Sequence, residues 1–208
     1  MNTNAATVKD IDGNVYNVVT IGTQVWMAEN LKTTRYNDGT EIPLITEQSA
    51  WYHLNAPGYC WYNNDEHANR DVYGALYNWY ALNTGKLCPP GWHVPSDEEW
   101  AALTAYLGGE AIAGGKMKTA GTRHWSGPNA GATNASGFTG LPAGFRGQSG
   151  FVPGGESGFI PGSITIFWSS TAFDAGTAWT RYLQSDTIVA GRNDGGMYHG
   201  FSIRCLKD

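Results

Sequence analysis

Hydrophobic and polar positions change places quickly at the start of the chain. In "VKDIDGNVYNVVTIGTQVWMAENL" (residues 8–31), Val15, Val18, Val19 and Ile21 are β-branched, as strands prefer. Asp12-Gly13 is a hairpin signal, Gly22 marks the next turn, and Asn37-Asp38-Gly39 supplies another. Residues 44–72 are irregular and rich in Asn, Tyr and Trp. The period then lengthens. In "YGALYNWYALN" (73–83), Leu76, Tyr77 and Tyr80 fit helical spacing and predict a short helix. In "CPPGWHVPSDEEWAALTAYLGG", Ser96 and Glu99 form a capping box, and Asp97 and Glu98 suit the positive end of a helix dipole. Trp100, Leu103 and Leu107 share one face, and Gly108-Gly109 stop the helix.

From about residue 114 the chain turns Gly-rich and reads as strands and loops. "ITIFWSS" and "GFTGLPAGFR" are strand-like. In "AWTRYLQ", Trp179, Arg181 and Leu183 point one way, and Thr180, Tyr182 and Gln184 the other. In "GFSIRCL", Phe201, Ile203 and Cys205 are expected inward. Strands, two helices, then a long β and loop half make an α+β class rather than a βαβ series. Residues 1–7 read as a disordered N-terminal segment, and 8–208 as one domain, the default for 208 residues.

Composition sharpens this picture. Charged residues are 15% of the chain, against about 25% in a typical domain, while there are 28 glycines and 9 tryptophans. That mix describes a loop-rich fold locked by aromatic anchors; Trp26, Trp92, Trp100 and Trp168 sit beside apolar neighbours and read as core. The net charge of −5, without a basic cluster, argues against nucleic acid as a partner. No apolar run reaches the roughly 18 residues of a membrane span, so no insertion is expected from this segment. "MNTNAATVKD" carries no apolar signal region. A cytosolic or phage protein and an exported protein without its signal or lipid anchor both fit; the cysteines favour export. Cys60, Cys88 and Cys205 cannot all pair within the chain, and none stands in a C-x-x-C spacing. One bridge, with Cys88–Cys205 the favoured pair, competes with three buried thiols.

Familiar catalytic patterns are missing. His53, His67, His93, His124 and His199 share no H-x-x-x-H spacing. There is no G-x-S-x-G and no P-loop. Glu98 and Glu99 are explained by capping, so an enzyme is not expected. "NNDEHANRD" (63–71) is oxygen-rich, which makes Asp65, Asn69 and Asp71 candidate ligands for a structural calcium ion, against the plainer reading of a solvated loop. No other cofactor is expected.

Four strings in order, "DIDGNVYNVVTIGTQVWMAENLKTTRYNDGTEIP", "WYNNDEHANRDVYGALYNWYALNTGKLCPPGWHVPSDEEW", "GFTGLPAGFR" and "GFSIRCLKD", resemble the Fibrobacter succinogenes major paralogous domain. The resemblance runs from about residue 7 to the end. It implies a C-type lectin-like fold, related to that of the formylglycine-generating enzyme, with two helices, short antiparallel sheets and long loops. It implies export or a cell-surface location, with a phage virion as the alternative. It places the bridge at Cys88 and Cys205, the positions of C-P-x-G-W and the terminal R-C. The reactive cysteine pair of formylglycine-generating chemistry is absent, as are the E-P-N and Q-P-D sugar triplets of calcium lectins.

A subset of the family resembles the variable proteins of diversity-generating retroelements, whose C-terminal segment is rewritten at template adenines. The frame W-S-S-T, A-W-x-R-x-L and G-F-S-x-R-C is present here, with Trp168, Trp179, Arg181, Leu183, Phe201 and Ile203 as its scaffold. Between those points stand Phe173, Asp174, Thr177, Thr180, Tyr182, Gln184, Asp186, Ile188, Asn193, Asp194, Tyr198 and His199, the expected variable, ligand-binding face. An asparagine codon changed at its two adenines reaches each of these except Gln184. The expected partner is a protein or glycan on another cell, host or phage. A fixed-specificity adhesion or carbohydrate-binding domain, and a phage receptor-binding protein, are the alternatives.

Overall fold

The computed structural model of the chain describes residues 6–152 and 162–208. In chain order its elements are β1 (Thr7–Lys9), β2 (Val15–Ile21), β3 (Gln24–Met27), α1 (Gln48–Tyr52), β4 (Tyr59–Cys60), α2 (Glu66–Tyr73), β5 (Leu76–Tyr77), α3 (Trp79–Leu82), β6 (Trp92–His93), α4 (Asp97–Tyr106), α5 (Glu110–Met117), β7 (Phe145–Gly147), β8 (Gly150–Val152), β9 (Ile164–Ala172), β10 (Thr177–Gln184), β11 (Ala190–Gly196) and β12 (Leu206–Lys207). Helices and antiparallel sheets are mixed, as expected, but the described residues hold five helices rather than two. Of the segment expected to be disordered, residues 1–5 lie outside the described residues, and Thr7 already pairs with Asn17.

The first hairpins form where the turn residues place them. Gly13 and Gly22 have φ of 85° and 64°, the left-handed region that glycine enters without penalty. Strand β12 then enters between β3 and β6, giving the sheet order β1-β2-β3-β12-β6. A second sheet, β11-β10-β9, packs its inner face on helices α4 and α5. Helix α4 starts as expected: the Ser96 hydroxyl accepts from the Glu99 amide, and the Glu99 carboxylate accepts from the Ser96 amide at 2.8 Å.

Three expectations fail locally. Residues 73–83 are not one helix: Tyr73 ends helix α2, Leu76–Tyr77 pairs with Tyr59–Cys60 as a strand, and Trp79–Leu82 forms a separate short helix. The oxygen-rich loop at 63–71 is mostly helix α2, capped by Asp65. Helix α5 lies where the glycines announced strands and loops. Gly114 and Gly115 are there for contact: a Cβ on Gly114 would lie 2.2 Å from the Val189 carbonyl oxygen, and one on Gly115 2.6 Å from that of Gly131.

Two large clusters make the core. One surrounds Trp168, Phe201, Tyr77 and Ile203. The other surrounds Trp26, Trp100, Trp125, Phe138 and Phe167, with the Trp26 and Trp100 rings 4.8 Å apart. Trp92 is only partly buried against the first. The last segment does not alternate: Ser202 and Arg204 are as buried as Phe201, Ile203 and Cys205. Arg204 is tolerated there because Asn30 Oδ1 and the carbonyls of Met27, Phe138 and Thr139 accept its protons. The Cys88–Cys205 disulfide forms with 6.0 Å between Cα atoms, and Cys60 is a buried free thiol.

Candidate functional site

Strand β10 sorts its side chains by pleat. The β9–β10–β11 register sets Arg181 opposite Phe167 and Arg192, and Leu183 opposite Thr165 and Ala190; residues directly opposite share a face. Leu183 and Phe167 enter the core beside α4 and α5. The other face carries Gln184 opposite Ile164, and Tyr182 opposite Ile166 and Gly191. Tyr182 lies over Gly191, where an added Cβ would come within 2.0 Å of the ring. The expected division of Tyr182 and Gln184 from Arg181 and Leu183 therefore holds.

On that outer face the side chains enclose a cleft of 290 Å³. Phe145, Ile164, Ile166 and Phe201 give it apolar walls. Tyr182, Gln184 and Asn193 give it polar groups. Five of the expected variable residues line this concavity, Thr180, Tyr182, Gln184, Asn193 and Asp194, and of these Tyr182, Gln184 and Asn193 share its face as partly buried or exposed side chains. The strand-like pattern of "ITIF" pointed to Ile164 and Ile166 only once the register was known. Phe145 arrives from β7, distant in sequence, and no local signal announced it.

The other expected residues are placed differently. Thr180 is not on an open face: it is 2% exposed, and its hydroxyl donates to the Asn193 carbonyl. Its cross-strand neighbour Trp168 occupies the space, bonded through Nε1 to the Tyr77 carbonyl and 4.5 Å from the Phe201 ring. Trp179 is not a core anchor. It lies half-exposed at the sheet's end, with Phe173 edge-on at 4.7 Å and the Arg192 guanidinium 3.3 Å from its ring centroid. Asp194 borders the cleft, but the register sets it opposite Trp179, on the other face. Asp174 builds the β9–β10 turn, accepting from the amides of Gly176 and Thr177 and the Thr177 hydroxyl; these bonds, the Gly176 amide first, hold its carboxyl below the ordinary carboxylate value.

Asp186 and Ile188 belong to the β10–β11 connection, and Ile188 packs over Gly131. That connection hangs on Lys118, a buried lysine that the sequence did not single out. Its Nζ donates to the carbonyls of Gln184 and Thr187 at 2.7 Å and of Ala130 at 3.1 Å. Tyr198 and His199 lie beside the cleft's Phe145 and Phe201. Tyr198 meets Tyr52 edge-on at 5.3 Å, and His199 stacks on Phe201 at 5.2 Å. Burial lowers the His199 pKa, and its Nδ1 faces the Gly196 carbonyl at 3.0 Å, so Nδ1 carries the proton of a neutral ring.

The calcium candidates do not converge. Asp65 caps α2 by accepting from Ala68, Asn69 donates to the carbonyls of Tyr62 and Asp65, and Asp71 pairs with Lys32 at 2.8 Å. Among the described residues no three His, Cys, Asp or Glu side chains group as metal ligands. A larger hollow of 790 Å³ is lined by Asp12, Thr34, Arg35, Glu41 and Tyr59, among others. Its central carboxylate is taken up within the fold: Asp12 accepts from Thr33, Thr34 and Arg35. The smaller cleft, with unspent carboxamides over apolar walls, is the better candidate site.

No curated protein and no solved structure matches the chain. The family model of the Fibrobacter succinogenes major domain matches residues 19–207, nearly the whole length over which the disulfide, the buried tryptophans and the terminal G-F-S-I-R-C segment lie. The chain belongs to the Fibrobacter succinogenes major domain family.

Proposed function

We propose that this domain is a ligand-binding module of an exported or cell-surface protein, with the outer face of β9–β11 as its binding face and a C-type lectin-like architecture. One observation carries the reading. Tyr182, Gln184 and Asn193, which belong to the stretch expected to vary, converge on an apolar-walled cleft whose backbone is fixed from behind by Leu183, Phe167 and Lys118. A rigid scaffold presenting adaptable side chains is the arrangement of binding loops. The disulfide supports an oxidising compartment. Among the described residues no helix is long and apolar enough to cross a membrane.

Programmed diversification by a retroelement is part of this proposal, and the exposed Phe173, Asp186, Ile188 and Asn193 support it. A fixed-specificity adhesion domain is the second reading, favoured by a specific observation. Thr180 is buried, and a Cβ on Gly195 or Gly196 would lie 2.7 Å from the ring of Phe201 or Tyr198. Those positions admit little change.

Two measurements test the proposal. Selection of displayed random peptides and a glycan array, both read with the full chain, should yield ligands lost in Tyr182→Ala and kept in the distant surface variant Lys9→Ala. Ligands indifferent to Tyr182→Ala in a folded protein would remove this face. Deep sequencing of the coding segment for residues 145–208 across the source population then separates the two readings. Substitutions at Phe173, Tyr182 and Asn193 opposite template adenines, with Trp168 and Phe201 constant, establish diversification; an invariant segment leaves fixed specificity.

A further inference from the structure

The cleft has a chemical character narrower than binding in general. No ionised side chain projects into it among the described residues: its one acidic neighbour, Asp194, shares the Trp179 face by register, and no lysine or arginine lines it. An unpaired ionic ligand would lose its hydration there without a counter-charge. The ligand should be neutral.

The groups that do line the cleft divide into two kinds. Gln184 and Asn193 carry carboxamides, each offering a donor and an acceptor, and neither side chain is hydrogen-bonded to another group among the described residues. The Thr180 hydroxyl, by contrast, already donates to the Asn193 carbonyl. Around them stand flat or branched apolar groups, Phe145, Phe201, Ile164 and Ile166, and the Tyr182 ring seated on Gly191. At 290 Å³ the space lies at the small end of ligand sites, about 300 Å³. A small neutral ring with apolar C–H faces and hydroxyls around its edge satisfies all three conditions: no charge, apolar flanks, and edge groups that both donate and accept.

We propose that the cleft binds one neutral sugar ring without a metal ion, with the aromatic and isoleucine side chains against its C–H faces and Gln184 and Asn193 reading its hydroxyls. The proposal rests on the binding reading above and narrows it to one ligand class. Because those carboxamides replace coordinated calcium as the hydroxyl partners, binding persists in a chelator.

The test is a glycan array carrying neutral, sialylated and sulfated glycans, probed with the full chain in EDTA, beside selection from a displayed random-peptide library. The expected result is binding to neutral glycans with EDTA present. Gln184→Ala should weaken it about tenfold, the worth of one or two hydrogen bonds to the ligand. Tyr182→Phe keeps the ring and should retain binding, while Tyr182→Ala loses it with the melting temperature as the check on folding. Binding only to charged glycans, or binding abolished by EDTA, overturns the proposal. A silent array together with peptides whose capture needs Tyr182 also overturns it, and leaves the binding face standing. A silent array with no Tyr182-dependent peptide removes both.

Discussion

Asp97, the first residue of helix α4, accepts from the Nη1 of Arg181 at 2.7 Å, and Arg181 is buried in the sheet behind it. The same carboxylate takes Arg192 Nη2 at 2.7 Å, and Arg192 in turn covers Trp179. One acidic side chain thus joins the helix start to both strands of the hairpin. Burial raises the Asp97 pKa, but the Arg192 hydrogen bond and the charges of Arg181 and Arg192 outweigh it and hold the carboxyl below the ordinary value. Asp97→Asn leaves the buried Arg181 guanidinium with only its longer pair to the half-exposed Glu110, at 3.9 Å. The expected loss is about 3 kcal/mol, the lower end for breaking a buried pair because Arg192 is partly exposed, measured by urea unfolding at neutral pH. The Asp97 contribution is present above the unfolded carboxyl value and is lost as pH falls through the lowered folded value, so the wild type and the variant should converge in acid.

Gly191 and Tyr182 form a coupled pair. Gly191→Ala should displace the ring and destabilise the wild type. In the Tyr182→Ala background the ring that the new methyl would strike is gone, and the same change should be near neutral, because Gly191 has no left-handed φ to protect. A double-mutant cycle should return a coupling of about 1 kcal/mol or more. Additive effects would mean that the ring does not rest on Gly191.

The thiols have a clear expected count. Burial pushes the Cys60 thiol up to about 12, and Cys88 and Cys205 are bridged. Native protein should not react with a thiol reagent at neutral pH. Denatured protein should show one thiol, and denatured, reduced protein three. Replacing Cys88 and Cys205 by Ala opens a loop of 117 residues and should cost about 2–4 kcal/mol.

His93 lies between two carboxylates, Asp208 at 2.6 Å and Glu99 at 2.9 Å. Burial lowers its pKa, but the hydrogen bonds to Asp208 and Glu99 outweigh burial and raise it. Its stabilising effect is therefore complete below the unfolded value of about 6.5 and is lost as pH rises through the higher folded value. His93→Gln should be less stable than wild type at pH 5 and nearly equal to it in mildly alkaline buffer; thermal melts across that range check this. The effect should be small, since the ring is partly exposed.

What could be read in advance followed local rules. The Ser96–Glu99 capping box, the Gly13 and Gly22 turns and the Tyr182–Leu183 alternation each depend on residues close in sequence, and each was legible. The errors came from contacts made across the fold. The stretch from about residue 114 read as strands and loops, yet Gly114 and Gly115 lie in a helix, because the segment that touches them, at Gly131 and Val189, is not visible from their own neighbourhood. Trp179 looked like a core anchor because tryptophan usually is; its true partner is an arginine thirteen residues on. Of the site, Tyr182, Gln184 and Asn193 were named, whereas Phe145 enters from another sheet and Lys118 from the end of a helix. Residues that meet only after folding leave no trace in a local pattern.

The position of β12 governs the order in which the domain is made. Leu206 pairs with both Trp26 and His93, so two residues at positions 206 and 207 are the bridge between strands that left the ribosome far earlier. Cys205, beside them, must also find Cys88. The first half of the chain therefore waits, with its sheet divided, until the last strand arrives. A shortened chain ending before Ile203 would lack the keystone along with the lock.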